Sequence, residues 1–193
     1  MSWWSCAKPS NIPYTDDPMS HQAPTLHTDR LTLRAHTRQD FEPLRAIWSD
    51  LVVTRHIGGK PASDQDCWFR LMRYMGLWSL VGYGYWAVCD TRSGTYLGDV
   101  GMADFRRNIG PAFDDTPEAG WVLSPSATGR GLATEAIQAA LAWHDNARKT
   151  PRTVCMIDPE NLASIRVAEK ARYSFFQQSE HATSPANLYE RLR

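Results

Sequence analysis

The sequence predicts a mixed α/β sheet in a single domain, and three observations carry that expectation. At 193 residues the chain is long enough for one domain with a substantial core and too short for two domains. Between residues 85 and 105, alternating strand patterns flank a hairpin turn. After residue 117, strands alternate with helical patterns, which mixes the two kinds of connection in one sheet. The composition, 42% apolar and 22% charged, is that of an ordinary globular protein.

Residues 1–24 read as a flexible tail, with prolines at 9, 13, 18 and 24 and no periodicity. Met19 opens a segment that could itself be a start, which makes the first 18 residues an extension of little consequence. Leu31, Leu33 and Ala35 alternate with Thr32 and Arg34, as in a half-buried strand. Thr37 followed by Asp40 has the form of a helix N-cap, and Phe41, Leu44, Ile47 and Trp48 recur at helical spacing. A second helix is expected over Asp64–Leu80, with Trp68, Leu71, Met72, Met75 and Trp78 as its apolar residues. Strands are expected at Tyr85–Asp90 and Tyr96–Phe105 around the turn Thr91–Gly94, then a loop over 106–116. Glu118–Leu123 is a third strand, stopped by Ser124-Pro125. A helix from Ala133 to about Asn146 places Ala136, Ile137, Ala140 and Leu141 on one face. A strand at 153–157, a helix at 161–171 and strands near 173–180 and 186–192 close the chain.

Charge and cysteine usage exclude several classes. Twenty-one basic residues balance twenty-one acidic ones, so bulk electrostatics selects neither nucleic acid nor an anionic membrane as partner. No apolar run is long enough to span a bilayer, and the N-terminus lacks a signal-peptide core. Cys6, Cys67, Cys89 and Cys155 are far apart and the six histidines do not cluster, so no metal is expected. Reduced, mostly buried thiols fit a cytoplasmic chain.

The chemistry lies in Glu118–Leu141. A strand runs through a short loop into Gly129-Arg130-Gly131-Leu132-Ala133, and a helix begins at once. Small residues let backbone approach a ligand, and the first helical turn offers unpaired N–H groups at the positive end of the helix dipole. Together these suit a phosphate. A plain strand–helix turn that needs glycine for geometry alone is the competing reading. A Walker A loop is excluded because no lysine sits at the helix start. A dinucleotide fingerprint fits poorly, since Thr134 takes the third glycine position and no acid follows near Lys149–Val154.

On these residues the sequence resembles the GNAT superfamily of acetyltransferases, and within it the Rim-type branch, which acetylates protein N-termini and small amines. The family's pyrophosphate loop, Gln/Arg-x-x-Gly-x-Gly/Ala, is matched by Thr128 to Ala133. Gly131-Leu132-Ala133-Thr134-Glu135-Ala136 and Thr28-Asp29-Arg30-Leu31-Thr32-Leu33-Arg34 are typical of the branch. Asn161-Leu162-Ala163-Ser164, followed by Val167, Glu169 and Lys170, matches a further family element. The likeness spans about residues 25–193. It departs at Thr128, usually glutamine or arginine, and at Arg172, usually glycine. A left-handed backbone at Arg172 would cost about 1–2 kcal/mol.

The resemblance implies a largely antiparallel twisted sheet flanked by helices, with acetyl-CoA as cosubstrate and a primary amine, on a peptide N-terminus or a small molecule, as acceptor. It implies that Trp121, Val122 and Leu123 pair with the pantetheine arm, with an amide near Val122 or Leu123 facing the thioester carbonyl. Thr128, Gly129, Arg130, Gly131, Leu132 and Ala133 would bind the pyrophosphate, with Arg130, Arg166 and Lys170 as possible phosphate partners. Glu118 is the candidate base, ahead of Asp99 and Asp104; Ser164 is the proton donor to the leaving thiolate, and Asn161 bonds pantetheine or substrate. Plainer roles compete: Glu118 as a solvated strand-end carboxylate, Asn161 as an N-cap and Ser164 as a first-turn residue. By family analogy residues 50–84 and 106–116 line the acceptor site. A catalytically weak acyl-CoA-binding module is the alternative function, and monomer and homodimer stay equally open.

Overall fold

The computed structural model describes residues 22–181 and 184–193. The expected tail up to residue 21, Cys6 included, lies outside the described residues. Its last part does not behave as a tail. Ala23 is buried, and the Pro24 carbonyl accepts a hydrogen bond from Trp86 Nε1 at 2.8 Å, so the packed domain already includes both.

The chain runs β1 (Leu26–His27), β2 (Leu31–Arg34), a 3-10 turn (Arg38–Asp40), α1 (Phe41–Trp48), α2 (Leu51–Thr54) and α3 (Asp64–Val81). Then come β3 (Tyr85–Asp90), β4 (Tyr96–Ala103), β5 (Glu118–Leu123), α4 (Leu132–Ala147), β6 (Arg152–Ile157), α5 (Leu162–Lys170), β7 (Ser174–His181) and β8 (Ser184–Leu192). Periodicity missed β1 and α2 because two and four residues are too few to show a period. It also carried β4 on to Phe105, past its end at Ala103. The expected hairpin turn is tied by Asp90, whose carboxylate accepts from the N–H groups of Arg92 and Ser93.

One eight-stranded sheet has the order β1-β2-β3-β4-β5-β6-β8-β7. Every neighbouring pair is antiparallel except β5 and β6, which run parallel and meet at one register point, Glu118 opposite Val154. Beyond it the two strands separate, which opens the sheet at its centre.

Alternation along the strands feeds two cores. Trp86, Val88, Val100 and Met102 join Leu132, Ala136, Ile137 and Ala140 of α4. Tyr85, Ala103 and Val122 join Leu44 and Ile47 of α1 and Leu71, Tyr74 and Leu77 of α3. The buried stripe of α3 is Cys67, Leu71, Tyr74, Leu77 and Trp78, at helical spacing. Trp68, Met72 and Met75, expected on the apolar face, are exposed instead, because the stripe that meets the sheet is turned from them. Trp68 keeps an edge contact with Phe41, with centroids 5.3 Å apart.

Three of the chain's eight tryptophans pack together. Trp78, Trp86 and Trp143 stand mutually edge to face, with centroids 4.7–5.3 Å apart. Cys67, Cys89 and Cys155 are buried free thiols. Among the described residues, no helix is long and apolar enough to cross a membrane.

Candidate active site

The loop between β5 and α4 is shaped by two left-handed glycines, Gly129 at φ 77° and Gly131 at φ 76°. Pro125–Ala127 forms a 3-10 turn that uses the N–H of Thr128. The next backbone N–H with a partner is that of Glu135, which bonds the Gly131 carbonyl at 3.1 Å. The N–H groups of residues 129–134 therefore have no partner among the described residues. Leu132, fully buried, pins the start of α4 to the core, so these donors sit on a fixed frame. No side chain caps α4, which leaves its N-terminus open to an anion.

A clamp holds this loop from outside. Arg30 reaches the Glu135 carboxylate through Nε at 2.7 Å and through its own N–H at 3.0 Å, while Thr28 Oγ1 donates at 2.6 Å. Arg30 Nη1 also donates to the Arg130 carbonyl at 2.9 Å. Partial burial pushes Glu135 upward in pKa, but these donors outweigh it and hold the carboxyl below its usual range.

Two cavities flank the point where β5 and β6 part. The smaller, about 410 Å³, is lined by the loop at Thr128, Gly129, Gly131 and Ala133 and by Arg166 and Lys170 of α5. Arg130 does not line it; its carbonyl serves the clamp, and its side chain is exposed. The larger, about 550 Å³, is lined by Glu118, Arg70, Arg107, Tyr85 and Asp158, among others. Trp121, Val122, Asn161 and Ser164 line both. The two spaces thus share a wall.

The edge of β5 has a definite polarity. Ser124 N–H bonds the Leu97 carbonyl at 2.7 Å, and the β4–β5 register continues evenly from Gly98↔Leu123 to Ala103↔Glu118. Alternation then turns the Val122 N–H toward β4 and those of Trp121 and Leu123 toward the opening. Of the amides at Val122 and Leu123, that of Leu123 faces the opening, where Leu123 lines the smaller cavity, and that of Val122 does not. Gly120 has a separate constraint, because a Cβ there would collide with Tyr85 Oη.

Glu118 is not a solvated strand-end carboxylate. It is 6% exposed and held by Arg107 at both oxygens, Nε to Oε2 at 2.6 Å and Nη2 to Oε1 at 2.8 Å. Burial pushes its pKa above the usual carboxylate range against the pull of Arg107. Arg107 in turn is partly desolvated, and Glu118 raises its pKa nonetheless. Geometry favours the charged pair, so burial is the reason Glu118 rises.

The two reserve candidates for the base are displaced by their surroundings. Asp99 is fully buried, bound by His36 at 2.8 Å, by Trp48 Nε1 at 3.2 Å and by the Tyr96 hydroxyl. It ties β4 to α1 and lines neither cavity. Asp104 pairs with Arg106 at 2.8 Å outside both cavities. Asn161 caps α5, its Oδ1 accepting from Ser164 N–H at 3.1 Å. The cap is real, and it also places both side chains in the shared wall.

In the expected acceptor-site segments 50–84 and 106–116 the sequence offers no decisive group, only aromatic residues (Trp68, Tyr74, Trp78, Tyr83, Phe113) that could contact an acceptor or belong to the core. Of these segments, Arg55, His56, Arg70 and Tyr74 from the first and Arg107 from the second line the larger cavity. His56 Nδ1 lies 2.8 Å from Asp158, and the Arg70 guanidinium lies 3.4 Å from the centroid of the Trp48 ring. Arg70 follows Ser63 and Asp66, which cap α3 reciprocally at 3.2 Å. That cap was the one signal that could have set its phase. Among the described residues, no group of three or more His, Cys, Asp or Glu side chains forms a metal cage.

Residues 30–174 match the acetyltransferase (GNAT) domain family. The uncharacterized protein YkkB of Bacillus subtilis (strain 168) is 33% identical over 170 residues, covering 86% of this chain and 94% of its own. The uncharacterized N-acetyltransferase p20 of Bacillus licheniformis is 27% identical over 144 residues, covering 74% and 78%. A solved structure described as a GNAT-family acetyltransferase from Bordetella pertussis superposes with a TM-score of 0.79 at 32% identity, covering 88% of this chain and 99% of that one.

Proposed function

The chain belongs to the GNAT acetyltransferase family and is an acetyl-CoA-dependent acetyltransferase, and from that premise we propose that it acetylates a primary amine by direct attack in a ternary complex. One observation carries the reading: unpaired N–H groups at 129–134 start α4 beside the free edge of β5. The clamp joins the two runs typical of the Rim-type branch, Thr28–Arg34 and Gly131–Ala136, through Glu135, which supports membership of that branch.

Amides 129–134 and the dipole of α4 would hold the pyrophosphate, with Arg166 and Lys170 beside it. Bound acetyl-CoA supplies a thioester acetyl group, which passes to the acceptor nitrogen as the C–S bond breaks and CoA leaves as the thiol. The Leu123 N–H faces the opening and would stabilise the negative charge that develops on the carbonyl oxygen. Holding both reactants in attack geometry can contribute roughly 7–11 kcal/mol.

The amine must first lose a proton. Glu118 takes it through a water, since Arg107 occupies only one lone-pair site on each carboxylate oxygen. Burial moves its pKa toward that of an amine and makes it a better acceptor than a solvated carboxylate. Ser164 returns a proton to the leaving thiolate, whose pKa is about 8.5 by analogy with cysteine.

Two measurements test this. Calorimetric titration with CoA should show binding, and a thiol-release assay over a panel of amines should show turnover. Glu118→Gln should lower turnover by about 10²–10⁴-fold with CoA affinity preserved. Turnover that survives this substitution removes Glu118 as the base. Binding without turnover on any amine would leave an acyl-CoA-binding module.

A further inference from the structure

We propose that the acceptor is an amino-acid-sized amine that carries a carboxylate, and that Arg70 of α3 receives that carboxylate. The inference rests on the reading of the larger cavity as the acceptor site. Its lining holds three arginines, Arg55, Arg70 and Arg107, against two carboxylates, Glu118 and Asp158. Glu118 is ion-paired with Arg107, and Asp158 is hydrogen-bonded to His56 Nδ1. Arg70 has no carboxylate within ion-pair reach among the described residues.

The setting of Arg70 is built rather than casual. Its guanidinium lies flat enough against Trp48 to sit 3.4 Å from the ring centroid, and that ring is fixed in turn by its Nε1 bond to buried Asp99. Its Nε–H is buried and meets no acceptor among the described residues. A buried donor of this kind is uncommon unless something outside the chain completes it. A carboxylate fits the requirement, because Nε–H and a terminal N–H form a fork that two oxygens can meet side by side.

The same charges oppose a polycation. A second ammonium on a polyamine or an aminoglycoside would enter a space where Arg70 and Arg55 have no ion-paired carboxylate among the described residues. A cavity of about 550 Å³ that also reaches Asn161 and Ser164 has room for a short acceptor with its amine near the thioester. In the reaction the acceptor ammonium gives up two protons and gains the acetyl group. One proton ends on the CoA thiol and the other in solvent by way of Glu118.

The test compares kcat/KM for free amino acids with that for their carboxamides, alongside spermidine and short peptides. Free acids should exceed their carboxamides by at least about tenfold. Arg70→Gln should collapse that acid-to-amide ratio toward one while calorimetric CoA affinity stays put. Carboxamides, spermidine or peptides matching the free acids would overturn the proposal. So would a ratio that survives Arg70→Gln, or silence with every amine in a protein that still binds CoA. Loss of CoA binding by the unaltered protein would instead sink the acetyl-transfer reading itself.

Discussion

Arg172 stands at φ 67° just after α5, a left-handed position that usually goes to glycine. Its N–H bonds the Glu169 carbonyl, and the Tyr173 N–H bonds the Ala168 carbonyl, each at 2.9 Å, which is the Schellman arrangement of a helix end. Arginine adopts that backbone at a cost of about 1–2 kcal/mol. Arg172→Gly should relieve the strain, partly offset by a more flexible unfolded chain, for a net gain of about 1 kcal/mol. Thermal melts should then rise by roughly 2–4 °C, and a lower midpoint would show that the exposed arginine contributes something the backbone argument omits. The need for a left-handed residue was legible as a departure from a motif. The environment of Glu118 was not, because a strand-end acid looks solvated until the loop that brings Arg107 over it is placed.

At the scale of elements, the legible parts were those with a period or a motif: α1, α3, α4, the β3–β4 hairpin and the glycine loop. The parts that escaped depend on distant pairing. The face of α3 is decided by which stripe the sheet accepts, and the many apolar residues of that helix left its phase ambiguous. The clamp from the β1–β2 turn to α4 joins residues more than a hundred positions apart, so only the fold reveals that Thr28, Arg30 and Glu135 act together. Glu135→Ala should release Arg30 and loosen the loop that presents the amides. CoA affinity should then fall about tenfold, equivalent to about 1.4 kcal/mol. Glu135→Gln, which can still accept from Thr28, should fall less. Equal and unchanged affinities in both variants would show that the loop holds itself.

For the molecule as a whole, His144 on α4 is one group that couples stability to acidity. It is fully buried, bonds Thr150 through Nε2, leaves Nδ1 without a partner and packs edge-on to Tyr83 with centroids 5.3 Å apart. Desolvation is the main cause that lowers its pKa from 6.5 to about 4. Between these values the unfolded chain binds the proton and the folded one does not, so stability falls as pH falls through that window. The loss approaches roughly 3 kcal/mol. Urea midpoints at pH 7.5 and 4.5 should differ less in His144→Gln than in the parent, and an identical drop in both would assign acid lability elsewhere. The separation of β5 from β6 has a consequence of its own. Beyond their single register point the facing edges of the two strands have no strand partner among the described residues, so on the proposed reading an incoming pantetheine arm does for the main chain what a ninth strand would do. Loading the donor and bridging the open part of the central seam are then one event, and the two halves of the sheet, otherwise joined only near Glu118 and Val154, gain a second link while the enzyme is charged.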